Sequence, residues 1–301
     1  MKRTLYFLTG PTAAGKTARA LEWATVRGAE VLSCDALQVY RGMDIGTAKA
    51  TPEERARVPH WGLDLVPARQ PYSVAEYAAY AREVVAEVTG RGRDLLVTGG
   101  SGFYLKSFFE PVIDAVTVSE ALRREVAAQL ETEGLDALLA ELRRLNPEGL
   151  GELDVQNPRR VTRALERCRA SGRSLAELRA AFDALPRPFA DFEKHIAMID
   201  QPDADLRARI AARTDAMLAD GLIDEVRRLD QVGLRDNPSA ASAIGYRETL
   251  AWLDTGSTNR AALAETIRTH TWQLVRKQRS WFRSQLPPNA VHLSPTDSLP
   301  W

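Results

Sequence analysis

The chain has 301 residues, of which 45% are hydrophobic and 27% charged, a composition that supports a full hydrophobic core and excludes global disorder. Forty acidic side chains balance forty basic ones, so no overall field attracts nucleic acid or membranes, and two cysteines are too few for a disulfide framework. No apolar run reaches the roughly 18–20 residues that a membrane helix needs, and the glycine at position 10 comes too early for a signal peptide, so we expect a cytosolic protein with no membrane contact.

The first hundred residues alternate short apolar strands with amphipathic helices. Strands are predicted at residues 4–9, 29–33 and 94–98, with 60–66 as a further candidate. Helices are predicted at residues 16–26, which Gly28 ends, and at 73–88, where Ser73 and Glu76 fit a capping box. This alternation predicts a parallel α/β sheet.

The pattern changes near position 111, after which apolar residues recur at helical spacing. Residues 122–130 and 135–145 predict two helices, and further helices begin at Pro158 and Ser174. One more strand is predicted at 195–199, followed by helices at 203–218, 223–232, 240–253 and 260–284. Because strand material resumes, we expect residues 114–186 to form a helical insertion in an α/β core of residues 1–113 and 187–301.

A phosphate-binding motif joins the first predicted strand to the first predicted helix. Residues 10–17 read GPTAAGKT and fit the pattern G-x-x-x-x-G-K-[ST], whose glycines let backbone N–H groups converge on phosphate oxygens. The helix N-terminus adds positive potential, Lys16 adds a cation, and Thr17 offers a hydroxyl to Mg²⁺. The predicted phosphate-binding residues are Gly10, Pro11, Thr12, Ala13, Ala14, Gly15, Lys16 and Thr17.

A carboxylate is expected beside this loop. Asp35 follows the second predicted strand and should emerge at the carboxyl edge of the sheet, where open α/β sheets bind ligands. A ligand for Mg²⁺, a general base and a simple turn cap are all compatible with that position. Two further glycine turns, at residues 44–49 and 99–102, carry hydroxyls. Three of the six lysines lie in or beside the three glycine turns: Lys16, Lys49 and Lys106.

Two basic runs occur on predicted helices. Residues 159–173 carry six arginines, and residues 276–283 interleave bases with Trp281 and Phe282. Such a run is usually a solvated helix face. The alternative is binding of RNA phosphates, with aromatic or arginine side chains stacking on bases.

Taken together, these motifs resemble those of the tRNA dimethylallyltransferases, also called tRNA isopentenyltransferases. The matching blocks keep the family's order and span nearly the whole chain: GPTAAGKT at 10–17, SCDALQVYRGMDIGTAK at 33–49, TGGSGFYLK at 98–106, NPRRVTRALE at 157–166, SAIGYRE at 242–248 and RKQRSWFR at 276–283. The second block is the most specific, because other P-loop enzymes do not carry it.

The resemblance implies a P-loop NTPase-like α/β fold with an all-helical insertion that binds the tRNA anticodon stem-loop. It implies transfer of a dimethylallyl group from dimethylallyl diphosphate to the N6 amine of the adenosine 3′ of the anticodon, with Mg²⁺ as cofactor and diphosphate released. The target base must leave its stack to react. Asp35 corresponds to the family's general base, and Lys16, Thr17 and Ser101 complete the implied catalytic set.

The resemblance also implies binding residues. Arg209 and Arg213, one helical turn apart, are similar to arginines that lie near the diphosphate. The implied tRNA contacts are Asp35, Ala36, Leu37, Gln38, Ser101, Arg123, Arg159, Arg160, Val161, Thr162, Arg163, Ser242, Ala243, Ile244, Gly245, Tyr246 and Arg247. The chain departs from the family pattern at Ala36, commonly serine, at Ser101, usually threonine, and at Arg247, usually lysine.

Two other classes of protein fit the residues. A P-loop kinase of a nucleoside or small metabolite would use the same loop with Mg-ATP, and Asp35 would activate the acceptor hydroxyl. A nucleotide-switched RNA-binding protein would combine the loop with the arginine runs and perform no chemistry at carbon. The second block and the arginine-bearing insertion favour the prenyl transferase. We expect a monomer, because the sequence shows no exposed coiled-coil seam.

Overall fold

The computed structural model of the protein describes residues 3–294 and 296–301. The chain divides into two compact units, one formed by Met1–Glu110 with Pro188–Trp301 and the other by Pro111–Arg187. We call them the α/β unit and the helical unit. The sequence-based boundaries, after 113 and after 186, lie within three residues of these.

The described part of the α/β unit contains eight short strands. They are β1 (Arg3–Thr9), β2 (Glu30–Ser33), β3 (Tyr40–Arg41), β4 (His60–Trp61), β5 (Val66–Pro67), β6 (Leu95–Gly99), β7 (Phe192–Ile199) and β8 (Val291–Leu293). Six of them form one sheet in the order β4-β2-β6-β1-β7-β8, and β3 pairs with β5. Every pairing is parallel, which confirms the predicted parallel sheet and brings the carboxyl ends of β1, β2, β6 and β7 to one edge.

The predicted helices appear in the predicted order, and two short helices that were not predicted, Pro52–Arg57 and Gly102–Lys106, lie among them. Those of the α/β unit are α1 (Lys16–Arg27), α2 (Pro52–Arg57), α3 (Val74–Gly90), α4 (Gly102–Lys106), α8 (Asp203–Ala219), α9 (Leu222–Gln231), α10 (Pro238–Ala241), α11 (Tyr246–Asp254) and α12 (Arg260–Gln285). Those of the helical unit are α5 (Glu120–Leu145), α6 (Pro158–Ser171) and α7 (Leu175–Asp183). None of the helices in the described residues is long and apolar enough to cross a membrane.

Local signals explain where two of these helices begin and end. Gly28 ends α1 in the left-handed conformation, with φ of 62°, which a residue without a Cβ adopts at little cost. Ser73 and Glu76 form the predicted capping box of α3, each side chain accepting the other residue's backbone N–H.

Alternation along the strands separates two hydrophobic cores, one on each face of the sheet. In β1, Leu5 and Phe7 belong to one core, whereas Tyr6 and Leu8 belong to the other. The first core includes residues of α3, α9 and α11, and the second includes residues of α1 and α8. The sheet is therefore covered by helices on both faces, as parallel sheets require.

The helical unit has a core of its own. Val126, Leu138 and Leu142 of α5 pack with Val161 and Leu165 of α6. The two helices predicted at 122–130 and 135–145 appear as one element that is interrupted at Gly134, whose φ is 81°. The i, i+4 spacing seen in the sequence is thus the buried face of each half.

Two sequence-based elements are wrong. The helix predicted over 240–253 is broken, because Gly245 has a φ of 93° and its N–H is bound by the Glu248 carboxylate, so that α11 begins at Tyr246. The strand predicted over 60–66 is reduced to β4 and β5, because Gly62 and Asp64 both take positive φ values. The short strands β3 and β8 were not predicted.

Candidate active site

The phosphate-binding loop leaves β1 and enters α1 as predicted. Gly10 and Gly15 have φ values of 149° and 97°, and a Cβ on Gly10 would lie 2.1 Å from the Ile199 carbonyl oxygen, so only glycine fits there. Ala13 also lies in the left-handed region, with φ of 64°. This alternation of conformations turns successive N–H groups toward one side of the loop, the geometry of an anion-binding nest.

Lys16 lies inside the curve of this loop. Its Nζ donates hydrogen bonds of 2.8 Å to the carbonyl oxygens of Gly10 and Pro11. Burial lowers the pKa of Lys16 to about 8, the Asp35 carboxylate opposing the shift and Arg213 adding to it. The lysine is thus a desolvated cation held at the position where a phosphate would bind.

Side chains from distant parts of the chain fix the loop. Gln278 of α12 accepts the Thr12 N–H at 2.9 Å and donates to the Gly100 carbonyl at 3.1 Å. From α8, Arg209 donates to the Ala13 carbonyl at 2.8 Å and Arg213 donates to the Thr12 hydroxyl at 3.3 Å. Burial lowers the pKa of Arg213, and the charge of Asp35 opposes that shift.

The ends of β2 and β6 bring Asp35 to this loop. The Cys34 N–H donates to the Thr98 carbonyl at 2.7 Å, and the Ser101 N–H donates to the Cys34 carbonyl at 3.3 Å. The Ser101 hydroxyl accepts the Ala36 N–H at 2.9 Å. Asp35 accepts the Leu37 N–H at 2.9 Å, which fixes the carboxylate in an Asx turn at the sheet edge.

One cavity of about 620 Å³ receives these groups. Its walls include Lys16, Thr17, Asp35, Arg209 and Arg213, so the structure brings together the predicted phosphate-binding residues and the predicted base. The volume is typical of a small-molecule site. Further residues that line it include Thr12, Ala13, Gly15, Leu37, Gln38, Gly46, Thr47, Ala48, Thr98, Gly100, Ile244, Gly245 and Gln278.

Ala36 and Ser101 do not line this cavity. Ala36 packs against the first core of the α/β unit, the one that contains Leu5 and Phe7. The Ser101 hydroxyl is bound to the backbone N–H of Ala36. The next residue, Gly102, lies so close to Trp281 that a Cβ on Gly102 would be 2.5 Å from the indole ring.

The segment 242–247, an implied tRNA contact, contains both buried and exposed side chains. Ala243 is buried and Tyr246 is inaccessible to solvent. Both side chains therefore belong to the core, which corrects their assignment as tRNA contacts. Ile244 and Gly245 line the cavity. Arg247 is exposed and its guanidinium donates to the buried Glu248 carboxylate.

In the helical unit, the implied tRNA contacts fall on two helices. Arg159, Arg160 and Arg163 are exposed on α6, and Arg123 is exposed on α5. Val161 is inaccessible and belongs to the core of this unit, which corrects its assignment as a contact. Thr162 is half-buried.

The C-terminal basic run has mixed roles. Arg279 donates to Asp200 at 2.8 Å and to Asp203 at 2.5 Å, so its charge is already paired. Arg276 and Arg283 are exposed on the same helix.

Three contributors were not singled out in the sequence. Gln278 and Gln201, which donates to the Ala14 carbonyl at 2.8 Å, hold the phosphate-binding loop. Glu225 binds the backbone of residues 44–46. A lone glutamine or glutamate, whether on a helix or in a loop as Gln201 is, gives no sequence signal of such a role. For Gln278, its place within RKQRSWFR was the available hint.

The residues of the cavity fit a magnesium ion bound together with a phosphate ligand. The described residues contain no cluster of three or more His, Cys, Asp or Glu side chains that would hold a metal by itself. Mg²⁺ commonly takes only one or two protein oxygens and completes its shell with substrate phosphates and water. Thr17 and Asp35 supply such oxygens on the walls of one cavity.

A parallel α/β sheet with a glycine-rich loop at the start of its first helix defines a P-loop-like α/β fold. Residues 38–285 match the model of the IPP transferase family. The chain is 55% identical to a tRNA dimethylallyltransferase of Opitutus terrae over 95% of this chain and 92% of that one. It is 41% identical to one of Salinispora tropica, over 93% and 85%. The chain belongs to the IPP transferase family.

Solved structures agree with this assignment. The tRNA isopentenylpyrophosphate transferase of Bacillus halodurans is 32% identical, with a TM-score of 0.69 over 98% of this chain and 90% of that one. A eukaryotic dimethylallyltransferase that acts on tRNA is 23% identical, with a TM-score of 0.84 over 99% of this chain and 75% of that one. At that identity the second likeness shows the fold alone.

Proposed function

We propose that this protein transfers a dimethylallyl group from dimethylallyl diphosphate to the N6 amine of the adenosine 3′ of the anticodon in tRNA, releasing diphosphate. The observation that carries the proposal is the convergence of the phosphate-binding loop and Asp35 on one cavity. Family membership supports the same reaction.

The loop and its cations bind the diphosphate. Backbone N–H groups of the nest, Lys16 and the guanidinium groups of Arg209 and Arg213 offer donors to its oxygens. As the C–O bond breaks, negative charge grows on the diphosphate. Donors fixed in advance by Gln278 and Gln201 stabilise that charge without further rearrangement.

Asp35 accepts the proton that the reaction releases. The N6 nitrogen forms a bond to the allylic carbon as the diphosphate leaves with its electron pair, and the amine must then lose one proton. The Asp35 carboxylate lies in the same cavity as Lys16, so the base and the leaving-group site are close together. A base in that place makes the poorly nucleophilic amine reactive.

Mg²⁺, held by the Thr17 hydroxyl and diphosphate oxygens, would supply further neutralisation of the leaving group. We propose that tRNA phosphates bind the exposed side chains of Arg123, Arg159, Arg160 and Arg163. The target base leaves its stack and enters the cavity, with Asp35, Leu37, Gln38, Ile244 and Gly245 on its walls. The expectations of a monomer and a cytosolic location stay predictions.

The test is incubation of the protein and Mg²⁺ with unmodified tRNA and either dimethylallyl diphosphate or ATP. Digested nucleosides are then weighed. We expect one adenosine per tRNA to gain a C5H8 unit with dimethylallyl diphosphate only, and a tRNA with guanosine at that position to gain none. Phosphate transfer from ATP to a small acceptor, without prenylation, would identify a kinase. ATP hydrolysis stimulated by tRNA would identify a nucleotide-switched RNA-binding protein.

A further inference from the structure

A single buried carboxylate binds one wall of the cavity by its backbone. Glu225 on α9 is 2% exposed. Its Oε2 accepts the N–H groups of Asp44 and Ile45 at 3.0 and 2.8 Å, and its Oε1 accepts the Gly46 N–H at 3.1 Å. Oε1 also accepts the Tyr246 hydroxyl at 2.6 Å. The two oxygens of a carboxylate offer about four acceptor positions, and these four donors fill them.

The groups that Glu225 holds belong to two segments of the cavity wall. Gly46, whose N–H is one of those bound, lines the cavity together with Thr47 and Ala48. On the other side, Ile244 and Gly245 line it directly before Tyr246. The carboxylate therefore links two segments that are about two hundred residues apart in the chain.

The two segments are also in direct contact. A Cβ on Gly46 would lie 2.5 Å from the Tyr246 ring and 2.7 Å from its hydroxyl oxygen, so the turn is in close contact with the tyrosine. Burial raises the pKa of Tyr246 well above its ordinary value, so the phenol keeps its proton and remains a donor to Glu225.

The turn has other hydrogen bonds besides those to Glu225. The Thr47 hydroxyl donates to the Met43 carbonyl at 2.7 Å, and the Lys49 ammonium donates to the Asp44 carboxylate at 2.7 Å. The N–H groups of Lys49 and Ala48 also donate at 3.0 Å to the carbonyl oxygens of Asp44 and Ile45, so they hold the carbonyl side of two of the peptide groups that Glu225 binds. Glu225 binds the N–H side of these peptide groups and joins them to Tyr246.

We propose that Glu225 is a positioning residue for prenyl transfer. It fixes the backbone of residues 44–48 against the segment 244–246, so that the cavity wall is set before the substrates bind. This inference rests on the proposed function. Misplacement of such a wall by about 1 Å can cost on the order of a hundredfold in rate, because the reacting groups lose their alignment.

Glu225→Gln is the most direct test of this positioning role. A glutamine keeps the size of the side chain, but its NH₂ group cannot accept an N–H, so at least one of the three amides loses its partner. Glu30→Gln is the matched control. Glu30 is also 2% exposed, and its carboxylate accepts from the side chains of Trp61 and Arg91, not from the cavity wall.

Two measurements separate positioning from general damage. In steady-state kinetics, Glu225→Gln should lower kcat about tenfold or more while KM for tRNA stays within about twofold, and Glu30→Gln should keep kcat near the wild-type value. In hydrogen–deuterium exchange without substrates, peptides that cover residues 44–46 should exchange about tenfold faster in Glu225→Gln and at the wild-type rate in Glu30→Gln.

A third variant tests the link to the second segment. Tyr246→Phe removes one donor and leaves the three amides bound, so its loss of kcat should be smaller than that of Glu225→Gln. The double variant should lose less than the product of the two single losses, because both changes act on one cluster.

The exchange measurement needs no activity, so the two proposals fail separately. A wild-type protein that does not prenylate tRNA overturns the proposed function, whereas the exchange result still reports on the wall. Unchanged exchange at residues 44–46 in Glu225→Gln, or an equal fall of kcat in Glu30→Gln and Glu225→Gln, overturns the positioning role.

Discussion

At the scale of single residues, position in the fold separates side chains that look alike in the sequence. Lys16, Lys49 and Lys106 all lie in or beside glycine turns. Lys16 lines the cavity, whereas Lys49 is buried and donates at 2.7 Å to both Asp44 and Asp64. Lys106 donates to Gln285 at 3.1 Å. One lysine of the three therefore belongs to the proposed diphosphate site.

A paired substitution separates these roles. Lys16→Ala should lower turnover by about 10²–10³-fold, because it removes a fixed cation that stabilises the leaving diphosphate. Its unfolding free energy should stay near the wild-type value. Lys49→Ala should instead lower the unfolding free energy by about 1–3 kcal/mol, less than for a fully buried pair because Asp44 and Asp64 are partly exposed. Prenylation kinetics and chemical denaturation measure the two effects. Near-full activity of Lys16→Ala would exclude its assignment to the diphosphate.

Asp35 has two possible roles that a metal titration distinguishes. Asp35→Asn keeps the shape of the side chain but cannot accept the amine proton, so turnover should fall by about 10²–10⁴-fold. Affinity for tRNA and the Mg²⁺ concentration at half-maximal rate should stay nearly constant. If high Mg²⁺ restored wild-type turnover, Asp35 would be chiefly a metal ligand and the general-base assignment would be wrong.

At the scale of elements, loops that leave the strand ends carry the site, and buried polar side chains fix the loops and helix ends. Gln278 and Glu225 fix loops of the α/β unit. In the helical unit, Asn146 is 2% exposed and has the same kind of role. Its amide donates to the Leu142 carbonyl at 2.7 Å and accepts the Leu175 N–H at 2.6 Å, so it joins the end of α5 to the start of α7.

Asn146→Ala should therefore destabilise the helical unit. The Leu175 N–H and the Leu142 carbonyl lose a partner in a buried place, which costs about 1–3 kcal/mol. All six tryptophans lie outside residues 111–187, so tryptophan fluorescence does not report directly on this unit. Hydrogen–deuterium exchange of peptides in that range is therefore the suitable measurement. Gln156→Ala, an exposed amide in the same unit, is the control and should change stability by less than about 0.5 kcal/mol. Equal exchange in both variants would contradict the role of Asn146.

For the molecule as a whole, the net charge does not show how the charges are distributed over the surface. The chain is formally neutral, but exposed arginines cluster on α6 of the helical unit. Some are partly neutralised by neighbours, since Arg163 donates to Glu166 at 3.1 Å. Glu166 is buried, whereas Asp154, 3.9 Å from Arg160, is exposed. Binding of an RNA backbone would replace an exposed pair such as Arg160 with Asp154, which contributes little in water.

The salt dependence of tRNA binding tests this arrangement. Replacing Arg159, Arg160 and Arg163 by alanine should weaken binding and reduce the slope of log K against log salt by roughly 0.7–0.9 for each phosphate that the variant no longer neutralises. Arg179→Ala is the control, because this exposed arginine of the same unit is paired with Asp183 at 2.8 Å and is not an implied contact. A triple variant with the wild-type slope would make these arginines part of a solvated helix face.

Much of the fold and part of the site could be predicted, because the signals are local. The strand–loop–helix at 10–17 and the capping box of α3 depend on residues a few positions apart. The helical insertion shows itself by apolar spacing. The break before α11 was missed, because Gly245 has no side-chain oxygen and therefore does not form a recognisable capping box with Glu248. The burial of Val161 and Tyr246 was missed, because a motif does not say which of its side chains face the core.

The parallel α/β class, the phosphate-binding loop and the likeness to prenyl transferases could be predicted from the amino-acid sequence, since each depends on short, contiguous patterns. That Asp35, Lys16 and Arg213 share one cavity, and that Gln278 and Glu225 hold its walls, is seen in the folded protein alone. These contacts join residues up to 266 positions apart. Hydrogen bonds of about 3 Å depend on how the sheet and its helices pack, and no local pattern of residues encodes that distance.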